Sequence, residues 1–156
     1  MARVLVIDDE DHLRSVIVAV LEAHGHQVLE AATAERGCAL YDPQRCDLVI
    51  LDLVLPDLPG MAVLDRIRAR DPRATVVVIT AHGSVPSAVG AMRAGAYDYI
   101  PKPFDNHDLI LVVDRAAEHR GLVARVDELE DAVRARKEFS GIIGRTAAIE
   151  QVLRRL

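Results

Sequence analysis

Five short runs dense in branched apolar residues are separated by stretches of helical periodicity: RVLVID (3–8), HQVLEA (26–31), DLVILD (47–52), ATVVVIT (74–80) and YDYIPK (97–102). Between them Leu13, Val16, Ile17, Val20 and Leu21 recur at helical spacing, as do Leu64, Ile67 and the residues around Ala88 to Met92. Strands that are apolar on both faces need cover on both sides, and helices inserted between successive strands give it when the strands run parallel. The chain is therefore predicted to be α/β, a doubly wound sheet of five parallel strands. Such sheets bind ligands beyond the carboxyl ends of their strands, here strands one, three and four.

The core of that sheet must be built from Val, Leu, Ile and Ala, because the chain holds three Tyr, two Phe and no Trp. After the fifth run, Leu109, Val112, Val113 and Ala116 share one helical face that can cover the sheet. A net charge of −5 gives no reason to expect a nucleic-acid surface. No apolar stretch approaches the roughly 20 residues of a membrane span, and the N-terminus lacks the layout of a signal peptide. No membrane contact is expected, and the location is expected to be cytoplasmic. Cys38 and Cys46 fit no metal-ligand spacing and are expected to be free thiols.

Within LVILDLVLPDLPG (48–60) the chain releases a carboxylate, Asp52, at the end of a buried run and then turns at Pro56 and Gly60. Asp8 and Asp9 end the first run in the same way. Three carboxylates converging on one sheet edge repel one another unless a cation neutralises them, and hard oxygen ligands with room for water suit Mg²⁺. The expected ligands are Asp9 and Asp52 directly, Asp8 through water, and the carbonyl of Val54. The plainer alternative is that Asp8 and Asp9 only cap the first helix. Thr80 ends the fourth run and Lys102 the fifth; a hydroxyl and an ammonium facing Asp52 can hold the oxygens of a phosphoryl group attached to it. Taken singly, such a Thr is usually a helix cap and such a Lys is usually solvated. The Lys102–Pro103 bond, at a turn that must direct the lysine inward, is expected to be cis.

VIDDE (6–10), Asp52 in ILDLVLPDLPGM, Thr80 in VITAHGS and GAYDYIPKPF (95–104) together resemble the receiver domain of two-component response regulators, over residues 3 to about 119. The resemblance implies a flavodoxin-like strand order of 2-1-3-4-5. It implies that Asp52 accepts a phosphoryl group from a sensor histidine kinase, with Mg²⁺ at Asp8 and Asp9, Lys102 pairing with the phosphate, and Thr80 and Tyr99 acting as the switch. If Thr80 swings toward a new phosphate, Tyr99 can fill the vacated space, and the surface of helix four, strand five and helix five changes. Val54, two residues after Asp52, has no polar group to orient an attacking water, whereas His82, two after Thr80, is a candidate; slow hydrolysis of the phosphoryl aspartate is expected.

Beyond the receiver, Leu122, Val126, Leu129 and Val133 recur at steps of four and three, a heptad seam that ends at Arg136. Residues 120–138 are expected to be a helical, coiled-coil-like linker forming a parallel homodimer together with helix five, with Arg125 meeting Glu130 of the second copy. The alternative is a single helix packed on its own neighbouring domain. Phe139 and Gly141 are expected to break the helix. The segment FSGIIGRTAAIEQVLRRL resembles, through Phe139, Gly144, Ala148, Ile149, Val152 and Leu153, the opening of the ATPase domain of sigma-54-dependent, NtrC-like transcription activators. The resulting division is 1–119 receiver, 120–138 linker and 139–156 the start of an AAA+ ATPase domain, as in the regulatory part of a longer protein.

In the whole protein this resemblance implies an ATPase, sigma-54 RNA polymerase and DNA as partners. The chain has no G-x-x-x-x-G-K-S/T loop, so it is not expected to be an enzyme beyond promoting its own phosphorylation and dephosphorylation. The resting dimer is expected to hold the ATPase domains apart until Asp52 is phosphorylated; the opposite sign, in which phosphorylation creates the dimer, stays open. A remote alternative is a phosphatase of the haloacid dehalogenase type, which needs an acid where Val54 stands. Another is a receiver that acts by contacts alone.

Overall fold

The computed structural model describes residues 1–81 and 85–143. It contains two compact units, Met1–Arg120 and Gly121–Leu156. In chain order the elements are β1 (Arg3–Ile7), α1 (Asp11–Ala23), β2 (Gln27–Ala31), α2 (Ala34–Leu40), β3 (Leu48–Asp52), α3 (Gly60–Arg70), β4 (Val76–Thr80), α4 (Val85–Arg93), β5 (Asp98–Pro101) and α5 (Asn106–Ile143). The strands form one sheet in the order β2-β1-β3-β4-β5, and every neighbouring pair is parallel. This is the doubly wound arrangement expected from the alternation of apolar runs and helices.

Strand residues point alternately to the two faces of a sheet, and here both faces are covered. Leu5, Ile7, Val49, Leu51, Val76 and Val78 pack with Ala34, Val63, Leu64 and Ile67 from α2 and α3. Val4, Val6, Leu48, Ile50, Val77 and Ile79 pack with Ile17 and Leu21 of α1 and with Leu109, Val113 and Ala116 of α5. Double cover explains why β3 and β4 are buried at every position. Cys38 and Cys46 are free thiols.

One expectation fails. Helix α5 runs through Phe139 and Gly141 to Ile143 without the predicted break. A glycine inside a helix costs only about 1 kcal/mol relative to alanine, and no proline is present to remove a hydrogen bond. In the second unit Leu122, Val126, Leu129 and Val133 are all exposed. Gly144, Ala148, Ile149, Val152 and Leu153, on which the likeness to an ATPase domain partly rests, lie outside the described residues, as does His82. Among the described residues no helix is long and apolar enough to cross a membrane.

Candidate functional site

The alternation that builds the core also aims the site. Counting on from Val4 and Val6, from Leu48 and Ile50, and from Ile100, positions 8, 52 and 102 fall on the sheet side covered by α1 and α5. Counting from Val76 and Val78, position 80 falls on the opposite side, together with Tyr99, the register partner of Val78. One set of side chains therefore meets at the strand ends, and a second lies across the sheet from it.

Asp8 and Asp52 are buried, at 0% and 3% exposure. The Lys102 Nζ donates to Asp52 Oδ2 at 2.8 Å, to Asp8 Oδ2 at 3.2 Å and to Glu10 Oε1 at 3.4 Å. Each buried carboxylate uses its other oxygen locally: Asp8 Oδ1 accepts from the Glu10 backbone N–H at 2.9 Å, and Asp52 Oδ1 accepts from that of Val54 at 3.0 Å. These are Asx turns, in which a short acid folds the chain back over itself two residues on. Burial disfavours the charge on Asp8 and raises its pKa above the ordinary carboxylate range, although the Glu10 N–H and Lys102 pull the other way. Burial works against the Lys102 ammonium too, but the hydrogen bond to Asp52 and the charges of Asp8 and Asp52 outweigh it, so its pKa is raised.

Asp8, Glu10 and Asp52 each offer an oxygen within 4.8 Å of the others. When all are ionised, Lys102 balances only part of their charge, and clustered hard oxygen donors of this kind fit Mg²⁺. Asp9, expected as a direct ligand, is exposed and is not in this group; Glu10, which the sequence reading did not single out, is. The Asx turn at Asp8 carries residue 10 back toward the site. The β1–α1 loop is held further by Arg14, whose Nη1 donates to the Asp8 carbonyl at 2.7 Å while its guanidinium pairs with Glu30 and Asp11.

Gly60 closes the loop after Asp52. Its N–H donates to the Leu53 carbonyl at 2.8 Å, and a Cβ there would stand 2.3 Å from the Asp52 carbonyl oxygen and 2.4 Å from the Leu53 Cα. Only glycine permits so close a backbone approach. Thr80 is buried, and its carbonyl accepts from the Lys102 N–H at 2.9 Å. The Tyr99 ring packs against the core, and its hydroxyl is buried without a hydrogen-bond partner among the described residues. The Lys102–Pro103 bond is cis, as expected.

The family model described as the response regulator receiver domain matches residues 4–114. The alginate biosynthesis transcriptional regulatory protein AlgB of Pseudomonas aeruginosa is 38% identical over 151 residues, covering 97% of this chain and 33% of its own length. The C4-dicarboxylate transport transcriptional regulatory protein DctD of the same organism is 38% identical over 154 residues, with coverages of 96% and 33%. Among solved structures, NtrX from Brucella abortus in complex with ADP superposes with a TM-score of 0.77 at 40% identity, over 82% of this chain and 30% of that one. The chain thus spans about a third of the length of the curated relatives it matches.

Proposed function

The chain belongs to the response regulator receiver domain family, and from that premise we propose that Asp52 is its phosphoacceptor and Lys102 and Thr80 its phosphoryl-binding groups. The observation that carries this reading is the 2.8 Å contact between Lys102 Nζ and Asp52, made inside a pocket that also gathers Asp8 and Glu10. An Asp52 oxygen attacks the phosphorus of a phosphohistidine on a sensor histidine kinase. The new O–P bond forms as the N–P bond breaks, and the imidazole leaves with a proton from solvent. Lys102 then moves from the carboxylate to a phosphoryl oxygen, a short displacement for a side chain already in contact with both aspartates. The Thr80 hydroxyl swings round the end of its strand, from the other side of the sheet, and donates to another oxygen.

Asp9, Asp52 and the Val54 carbonyl would hold Mg²⁺ directly, with Asp8 acting through water and Glu10 adding a further carboxylate near the site. Bound there, the ion supplies charge neutralisation for the acids and for the incoming phosphoryl oxygens. Thr80 and Tyr99 form the switch: they count to the same face of the sheet on neighbouring strands, so withdrawal of one leaves room for the other.

The relatives are named as transcriptional regulators, which supports a whole protein in which this receiver governs a sigma-54-activating ATPase bound to DNA. In that reading residues 120–138 link two copies, the segment from 139 begins the ATPase domain, and phosphorylation of Asp52 releases an inhibitory dimer. The test of the phosphoacceptor is direct. With Mg²⁺ and acetyl phosphate, intact-mass spectrometry should find one added phosphoryl group, lost in Asp52→Ala and sensitive to hydroxylamine. No labelling of the wild type would remove the reading.

A further inference from the structure

The loop that follows Asp52 is fastened at a point outside the site. Asp57 accepts from the backbone N–H groups of Ala34 at 2.8 Å and Glu35 at 2.9 Å, the first two residues of α2. The next free amide of that helix, of Arg36, is taken by the Thr33 side chain at 3.1 Å. The helix thus has its own cap, and it receives a second one from a residue more than twenty positions away. That second cap is continuous in sequence with Val54, whose N–H holds Asp52 Oδ1.

We propose that Asp57 is a positioning residue for the phosphorylation site, tying the β3–α3 loop to α2 so that Val54 keeps Asp52 and the metal-facing carbonyl in register. The inference rests on the reading of Asp52 as a Mg²⁺-dependent phosphoacceptor. The loop is also held by the buried side chain of Leu55, by Leu53 and Leu58, which pack partly buried against the core, and by the Gly60 N–H bond to Leu53. Pro56 to Pro59 contains two prolines that donate no hydrogen bond, and among the described residues the Asp57 carboxylate is the side chain that ties this stretch to α2. Residues that orient ligands from outside the coordination shell commonly govern metal affinity in this way.

Thr33 provides the control, because Thr33→Ala weakens the same helix end without touching the loop. Mg²⁺ binding to the 156-residue chain is measured by titration calorimetry, alongside thermal unfolding and labelling by acetyl phosphate. Asp57→Ala is expected to weaken Mg²⁺ binding by about tenfold and to recover labelling when Mg²⁺ is raised to saturation. Thr33→Ala is expected to lower the melting temperature with Mg²⁺ affinity unchanged, and Asp57→Asn, which keeps one acceptor oxygen, should fall between wild type and Asp57→Ala. Equal loss of affinity in Asp57→Ala and Thr33→Ala would reduce Asp57 to a helix cap and overturn the proposal, as would unchanged affinity in both Asp57 variants. A wild type that neither binds Mg²⁺ nor labels would instead overturn the phosphoacceptor reading and the proposal with it.

Discussion

Gly60 stands against backbone rather than against a side chain that can turn away. Gly60→Ala must push α3 from the Asp52–Leu53 peptide, and overpacking of this kind costs about 2 kcal/mol. Urea unfolding should show that loss, and labelling of Asp52 should slow with it; an unaffected midpoint would mean that the loop yields freely. Asp47 gives a pH-dependent counterpart. Its carboxylate accepts from the Arg3 N–H at 2.8 Å and from the Arg3 guanidinium at 3.2 Å. Burial alone would raise its pKa, but these bonds and the Arg3 charge outweigh it and hold the pKa below the ordinary range. A depressed carboxylate contributes stability above its unfolded pKa and loses it as the pH falls through the folded value. Asp47→Asn should therefore cost about 1 kcal/mol at pH 7, and the gap from wild type should close below about pH 4. A gap that persisted in acid would assign the effect to packing. Asp8, Asp52, Thr80 and Lys102 were legible in the sequence because each ends or follows an apolar run, and the period of two then fixes its side. Glu10 was not legible, since an Asx turn follows no period.

At the level of elements, the five strands lie within a residue or two of the apolar runs that predicted them, and in β3 and β4 continuous burial leaves branched residues little freedom to be anything else. Helix α5 was only partly legible. Its Leu109, Val113 and Ala116 face reads directly, but neither a glycine nor a phenylalanine marks an end unless a cap replaces the lost bonds. Polar contacts that join loops distant in sequence leave even less trace. Arg120 donates to the carbonyl of Arg73 at 3.1 Å and of Pro43 at 3.4 Å, and pairs with Asp71 at 3.6 Å. Asp71 in turn accepts from the Tyr41 hydroxyl at 3.0 Å, and burial together with the Asp71 charge keeps that phenol protonated. This network fastens α5 to the α2–β3 and α3–β4 loops at the end of the first unit. Arg120→Ala strips charge-assisted bonds from carbonyls and is expected to destabilise the receiver by about 2 kcal/mol. Hydrogen exchange should quicken in α5 just before residue 120, and protection equal to wild type there would mean that apolar packing alone holds the helix.

For the whole molecule the open quantity is how many chains act together. Leu129 is 67% exposed and Leu122 56%, and Val126 and Val133 complete an apolar seam uncovered in the single chain. Fully burying a Leu or Val side chain contributes about 1.5 to 3 kcal/mol, whereas bringing two chains together costs about 4 to 15 kcal/mol before any contact is counted. Each seam residue is already about half covered, so the eight side chains of two copies offer a gain of the same order as that cost; any dimer through this seam is therefore weak, and a change of about 2 kcal/mol shifts its association constant some thirtyfold. That is the regime in which a phosphoryl group on Asp52 can govern assembly, since a tight coiled coil would ignore it. Sedimentation equilibrium of the chain with Mg²⁺, with and without beryllofluoride as a phosphoryl mimic, is expected to find a dimer that weakens on adding the mimic. Asp52→Ala should not respond, and Leu129→Asp should be monomeric in both conditions. A wild type that is monomeric at rest and dimeric only with the mimic would reverse the sign of control while leaving the seam as the contact. Dimerisation retained in Leu129→Asp would move the contact off the linker altogether.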